Sequence, residues 1–207
     1  MGVAWVVLLL GLWMWGRGIS DVHTGISAPT TGDMAAAGRP PDTRLPPASQ
    51  PLGTSAPLRV DIPSLGVRAP VVGRGLDAQG AIEPPPFDQS GVVGWYGNGV
   101  TPGAAGTALL VGHVDTDTGP AVFYKLSSLR QGAKVRVVRR DGRIAEFTVE
   151  GVQVLDRDRF DAREAYGARQ PGRAELRLIT CGGTFDRARG AYTANVVVSA
   201  YLTGVAR

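Results

Sequence analysis

From Leu58 to the C-terminus the chain is a succession of short β-branched or alternating runs broken by glycine and proline, and this pattern restricts the fold more than any other feature. The runs lie at Leu58 to Ile62, Val67 to Val72, Val92 to Tyr96, Thr107 to Gly112, Lys134 to Arg140, Ile144 to Val154, Glu175 to Thr180 and Asn195 to Tyr201. About eight strands at such spacing predict a mainly β domain closed as a barrel or stacked as a sandwich. Asp141-Gly142 sits between two of the runs, a combination that favours a hairpin turn. Helix is expected only in short stretches near Val122 to Leu129 and Ala162 to Tyr166.

The first quarter of the chain reads differently. Gly2 to Gly16 is apolar and carries Trp5, Trp13 and Trp15. As a helix it would reach roughly 22 Å, short of a bilayer core of about 30 Å. No basic residue precedes it, Arg17 follows it, and the small-residue run Ala35-Ala36-Ala37 is far downstream for a cleavage site. Residues 1–20 are therefore expected to act as an uncleaved membrane anchor, with a cleaved signal segment as the other option, and the bulk of the chain would lie outside the cytoplasm. Between Ser27 and Pro57 seven of the chain's 15 prolines mix with Ser, Thr, Gly and Ala, with no aromatic residue. Such a stretch buries too little apolar surface to offset its ordering entropy, so residues 21–56 are expected to form a disordered, extended linker. His23, at its start, reads as a solvated polar residue. Residues 57–207 are left as the folded domain.

Composition removes some classes of function. A net charge of +4 comes from arginines scattered through the second half with no run of five, which gives no nucleic-acid footprint. One cysteine rules out an intrachain disulfide framework.

That cysteine, Cys181, ends the apolar run Leu176-Arg177-Leu178-Ile179-Thr180 and is followed by Gly182-Gly183. The pattern predicts a thiol at a strand terminus, beside backbone that another molecule can approach closely. His113, the single histidine of the folded part, ends Thr107-Ala108-Leu109-Leu110-Val111-Gly112 in the same way. The two positions are 68 residues apart, and neighbouring strands would bring them together as a Cys-His pair for covalent catalysis. With ordinary pKa values, roughly 3% of thiol and 24% of imidazole would be charged at pH 7, so either the pair shifts these values or a small fraction does the chemistry. The segment His113-Val114-Asp115-Thr116-Asp117 alternates possible metal ligands, but nothing else in the sequence completes a site, and no metal or other cofactor is expected. Asp115 and Asp117 read as turn formers, with support of His113 left open.

The Leu178-Ile179-Thr180-Cys181 segment resembles the Leu-x-Thr-Cys signature of sortases, and Gly112-His113 resembles the Gly-His that precedes it in those enzymes. The similarity runs from Leu58-Arg59-Val60-Asp61-Ile62-Pro63 through Phe123 to Gly132 and on to Asn195-Val196-Val197-Val198. The tail Cys181-Gly182-Gly183-Thr184-Phe185-Asp186 looks most like the actinobacterial sortases called class F, with class E a near relative. The resemblance implies a closed barrel of about eight strands and a cysteine transpeptidase. It also implies the partners: exported proteins with a C-terminal sorting signal of Leu-x-x-Thr-Gly type, and a peptidoglycan precursor or other amine as acceptor. Cys181 would form a thioester, and His113 would protonate the leaving amine. Sortases also use an arginine, often at the start of the last strand, where this chain has Thr193-Ala194-Asn195. Arg187 and Arg189 are the candidates for that role, and Asn195 could donate a neutral hydrogen bond instead. Two other readings stay open: a peptidoglycan-directed hydrolytic or L,D-transpeptidase-like cysteine enzyme, and a tethered surface module with no catalysis.

Overall fold

A computed structural model describes residues 44–78, 80–159 and 161–207. The expected membrane segment, the linker up to residue 43, and His23 lie outside them. Ten strands occur among the described residues: β1 (Pro57–Ile62), β2 (Val67–Arg74), β3 (Val93–Tyr96), β4 (Gly106–Val111), β5 (Asp115–Thr116), β6 (Gly119–Pro120), β7 (Lys134–Arg139), β8 (Ile144–Asp156), β9 (Ala174–Asp186) and β10 (Ala191–Ala206). Eight of them close a barrel in the order β1-β2-β3-β4-β9-β10-β8-β7, with β7 returning to β1. The pairs β2–β3 and β4–β9 are parallel, and the other barrel pairs are antiparallel. The mainly β barrel expected from the sequence is the fold, and every predicted run is a strand. β5 and β6 form a separate two-stranded hairpin just after His113.

The interior follows from period-two alternation. Val60, Ile62, Ala108, Leu110, Phe147, Leu176, Leu178, Val198 and Leu202 point inward and are buried, and Phe123 and Leu126, from the connection after β6, join the same core. A second cluster lies on the other face of β4, β9 and β10: Val111, Ile179 and Val197 pack with Ile82 and Ala165. Ala165 belongs to α1 (Ala162–Tyr166), whose Asp161 cap accepts a 2.7 Å bond from the Arg163 N–H. β9 is thus covered on both sides, and each residue from Ala174 to Thr180 is buried.

Two outward residues of β9 are charged and buried. The Glu175 carboxylate meets Arg177 at 2.8 Å and Arg173 at 3.0 Å, and it accepts backbone N–H bonds from Arg169 and Gln170. Burial alone would raise its pKa, but those donors and the Arg177 charge outweigh it and hold the carboxyl below its ordinary range.

The linker expected to run free of the domain up to residue 56 does so for none of its described part. Residues 44–56 have no helix or strand, yet they lie along the barrel: Tyr201 Oη donates to the Pro46 carbonyl at 2.6 Å, and the N–H groups of Ser49 and Leu52 donate to Leu202 and Gly103. Arg139 explains the capture. Its guanidinium is buried and donates to the Gly53 carbonyl at 2.6 Å, to the Pro102 carbonyl and to Asp141. A buried guanidinium needs acceptors, and an irregular strand poor in N–H donors offers free carbonyls. Leu52 adds apolar contact with the core.

Glu175→Ala would leave Arg173 and Arg177 buried without their counter-charge. The expected loss is about 3–5 kcal/mol of folding stability, read as a lower urea midpoint at unchanged slope.

Candidate active site

Register places the two reactive side chains. In the parallel pair β4–β9, Val111 lies opposite Ile179, and both side chains belong to the outer cluster. Two residues beyond Ile179, on the same face of β9, stands Cys181, and two residues beyond Val111, just past the end of β4, stands His113. Neighbouring strands lie about 4.8 Å apart, so the two residues stand at one rim of the barrel, where both line the same groove. The Gly112 N–H donates to the Ile179 carbonyl at 3.1 Å, which carries the pairing one step beyond the strand.

Both glycines beside these residues have a steric reason. A Cβ on Gly112 would come within 2.7 Å of Phe123 Cδ2 and 2.8 Å of Val122 Cγ1, so only glycine lets the chain pass under the His113 loop. Gly183 has φ +78° and faces Thr193, whose Oγ1 would be 2.5 Å from an added Cβ. Here the structure departs from the expectation that Gly182-Gly183 ends the strand. β9 continues to Asp186 and turns back into β10, with a register shift between Tyr192 and Ala194. The glycines accommodate a bulge within a hairpin, and Cys181 stands inside a long strand opposite Asn195.

His113 is 9% exposed. Its Nε2 lies 2.6 Å from the Pro85 carbonyl, and its ring stacks on Phe87 with centroids 4.4 Å apart and planes at 21°. Cys181 is exposed, the opposite of an inert core cysteine. Burial nevertheless pushes its thiol up, Arg157 pulls it down by less, and Asp115 adds to the rise. A raised thiol is mostly protonated at neutral pH, which favours chemistry through a small thiolate fraction.

A groove of about 520 Å³ holds both groups, and Phe87, Asp115, Arg157 and Tyr192 also line it. Tyr192 Oη donates a short hydrogen bond to Asp115 Oδ2, which ties the β5–β6 hairpin after His113 to the β9–β10 hairpin after Cys181. Phe185 meets the Tyr192 ring edge-on at 5.2 Å. Asp115 is therefore a crosslink between the two walls as well as a turn residue. Among the described residues no group of three or more His, Cys, Asp or Glu is arranged to hold a metal ion.

The two candidate arginines are elsewhere. Arg187 is exposed and does not line the groove. Arg189 is 69% exposed, near Asp158 at 3.6 Å and Asp186 at 3.7 Å, and lines an adjoining cleft of about 270 Å³. The cation that does line the groove is Arg157, in the 3₁₀ turn Arg157–Arg159 that ends β8. Asp156 pairs with Ala194, so Arg157 follows directly alongside Thr193 on the neighbouring strand. The sequence reading missed it because it lies 24 positions before Cys181, and only the β8–β10 register brings it close.

The sortase domain model matches residues 60–203. Among solved structures, the chain is similar to the SrtA sortase from Actinomyces oris, with 21% identity, 79% of this chain and 89% of that chain covered, and a TM-score of 0.55. It is also similar to sortase C1 from Streptococcus suis (17% identity, 72% and 74% covered, TM-score 0.55) and to a lid mutant of sortase A from Corynebacterium diphtheriae (16%, 73% and 73%, 0.53). No curated protein sequence matches. A closed barrel with a cysteine and a histidine at one rim, matched by the family model over 60–203, defines the class as cysteine transpeptidases. The chain belongs to the sortase family.

The Tyr192–Asp115 bond and the Asp115 charge push the Tyr192 phenol up to about 12. The raised value means the bond supports the fold fully below the phenol's ordinary value of about 10 and loses that support as pH rises through the folded value. In an ultraviolet pH titration, the signal lost in Tyr192→Phe should titrate near 12 in the wild type and fall toward 10 in Asp115→Ala. An ordinary titration in the wild type would mean the two walls are not joined.

Proposed function

We propose that this sortase is held at the outer face of a cell membrane by its apolar N-terminus and cleaves a Leu-x-x-Thr-Gly-like signal near the C-terminus of exported proteins. The observation that carries the reading is the shared groove: Cys181, His113 and Arg157 line one opening.

In the first half-reaction the Cys181 thiolate attacks the carbonyl carbon of the threonine residue. The C–N bond breaks, the departing amine takes a proton from the His113 imidazolium, and the acyl group stays on sulfur as a thioester. In the second, an amine of a peptidoglycan precursor attacks the thioester. The S–C bond breaks, the thiolate is restored, and neutral His113 accepts the proton the amine loses. The overall exchange of one amide for another needs neither metal nor redox cofactor. Oxygen carries negative charge in both tetrahedral intermediates, and a guanidinium aimed at it stabilises charge that develops only there. Arg157, and neither Arg187 nor Arg189, takes that role, supplied from β8 beside the strand on which the family often carries its arginine.

The test incubates the protein with Leu-x-x-Thr-Gly-type peptides and an amine. Cys181→Ala should abolish transfer, and His113→Ala should lower it by about 10²–10⁴-fold. Arg157→Ala should lower kcat by about 10²–10³-fold, whereas Arg187→Ala and Arg189→Ala should stay near wild type. Transfer that survives Cys181→Ala would remove the covalent mechanism. Release of the peptide to water, with no amine product, would favour the hydrolytic alternative.

A further inference from the structure

The sequence Pro84-Pro85-Pro86-Phe87 forms a strap over His113 that the catalytic scheme above does not use. Its ends are fixed. The Glu83 carboxylate pairs with Arg74 at 2.8 Å, the Glu83 N–H donates to the Gly75 carbonyl at 3.1 Å, and the Ser90 carbonyl accepts from Val122 at 2.9 Å. Pro85 is buried against β3, where a Cβ on Gly94 would come within 3.3 Å of its Cδ. Three successive prolines restrict φ and supply no N–H, so the strap gives up little entropy on ordering and keeps its carbonyls free to accept.

The Pro85 carbonyl has no proton to give, so the 2.6 Å contact requires Nε2 of His113 to be the donor. That holds in the charged ring, and in the neutral ring it selects the tautomer protonated at Nε2. Phe87 stacks on the same ring with centroids 4.4 Å apart and covers one of its faces. Nδ1 has no protein partner among the described residues. It is the one nitrogen whose proton can leave and return while the bond to Pro85 stays intact.

We propose that the Pro84–Phe87 strap is the positioning element of His113, and that Nδ1 is the atom that gives a proton to the departing amine and takes one from the attacking amine. The second half of this statement rests on the transpeptidase reading; the first does not. Through both half-reactions Nε2 keeps its proton and donates it in the hydrogen bond to the Pro85 carbonyl. Acylation moves one proton from Nδ1 to the leaving nitrogen, and aminolysis returns one from the new nitrogen to Nδ1, so the ring ends as it began.

The measurement is the nitrogen-15 spectrum of His113 in the full chain labelled at histidine, with His23→Gln to leave one imidazole. At mildly alkaline pH the neutral ring should be protonated at Nε2, and a ring protonated at Nδ1 overturns the proposal. This holds whether or not peptide is turned over, so an inactive enzyme with the expected tautomer would count against the transpeptidase reading alone. A second arm uses Phe87→Ala. Amine transfer should fall about tenfold through kcat, part of what a positioned acid–base group supplies, while alkylation of Cys181 by iodoacetamide keeps its rate. Phe87→Tyr, which restores the stack, should recover transfer. A rise in KM alone would assign Phe87 to peptide binding, and equal losses of alkylation and transfer would make the strap a general support; either overturns the positioning role.

Discussion

The parallel pairing of β4 with β9 is the constraint on which the site depends. Val111 opposite Ile179 sets a register in which the side chains two positions on share a face and a rim. A slip of one residue in either strand would turn His113 or Cys181 to the opposite face, because side-chain direction alternates at every step. Burial of β9 on both sides resists that slip. Leu176 and Leu178 are committed to the interior and Ile179 to the outer cluster, and Arg173, paired with Glu175, also reaches Glu150 on β8 at 3.1 Å. The buried ions add little net stability as such. Glu175 and Arg177 travel together on β9, so the part of the network that ties β9 to its surroundings is the pair Arg173–Glu150, which a slip of β9 would break.

A closed barrel filled with side chains has no room for a substrate inside, so reactive groups have to stand on its outer surface. The groove is then a product of the connections: the Pro84–Phe87 strap, the β5–β6 hairpin, the turn at Arg157 and the β9–β10 hairpin each supply one wall. The Tyr192–Asp115 bond joins two of these walls and so makes the width of the groove a property of the fold. Opposite charges stand in the same opening. Arg157 lowers the cost of a thiolate at Cys181 and Asp115 raises it, while burial exceeds both.

Much of the barrel was legible because strand periodicity is local. Alternation in β1, β2, β7 and β8 and the Asp141-Gly142 turn can be read within a dozen residues. Cys181 and His113 were legible for the same reason, each closing an apolar run beside glycine. What the sequence hid was non-local. Arg157 became a groove residue only through the Asp156–Ala194 register, while the β9–β10 hairpin carries Arg189 beyond Cys181 toward Asp158 and Asp186. The capture of residues 44–56 depends on Arg139, 86 positions after Gly53, presenting a buried guanidinium to a strand that has carbonyls to spare. The glycine pair after Cys181 looked like an end because glycine is rare inside strands, and a bulge opposite Thr193 is the case in which it is needed.

The division between wall and loop also explains how the likeness to solved sortases can hold at identities of 16–21%. Barrel positions need only an apolar side chain of suitable size at alternate places, a demand that many sequences meet. Loop positions are under chemical rather than packing constraint, and a guanidinium is long enough to serve the same point in space from either of two adjacent strands. A guanidinium can therefore be supplied from either strand without disturbing the pairing that aligns cysteine with histidine. The imidazole and thiol have no such freedom, because each is short and each reaches the groove only from its own end of the β4–β9 pair.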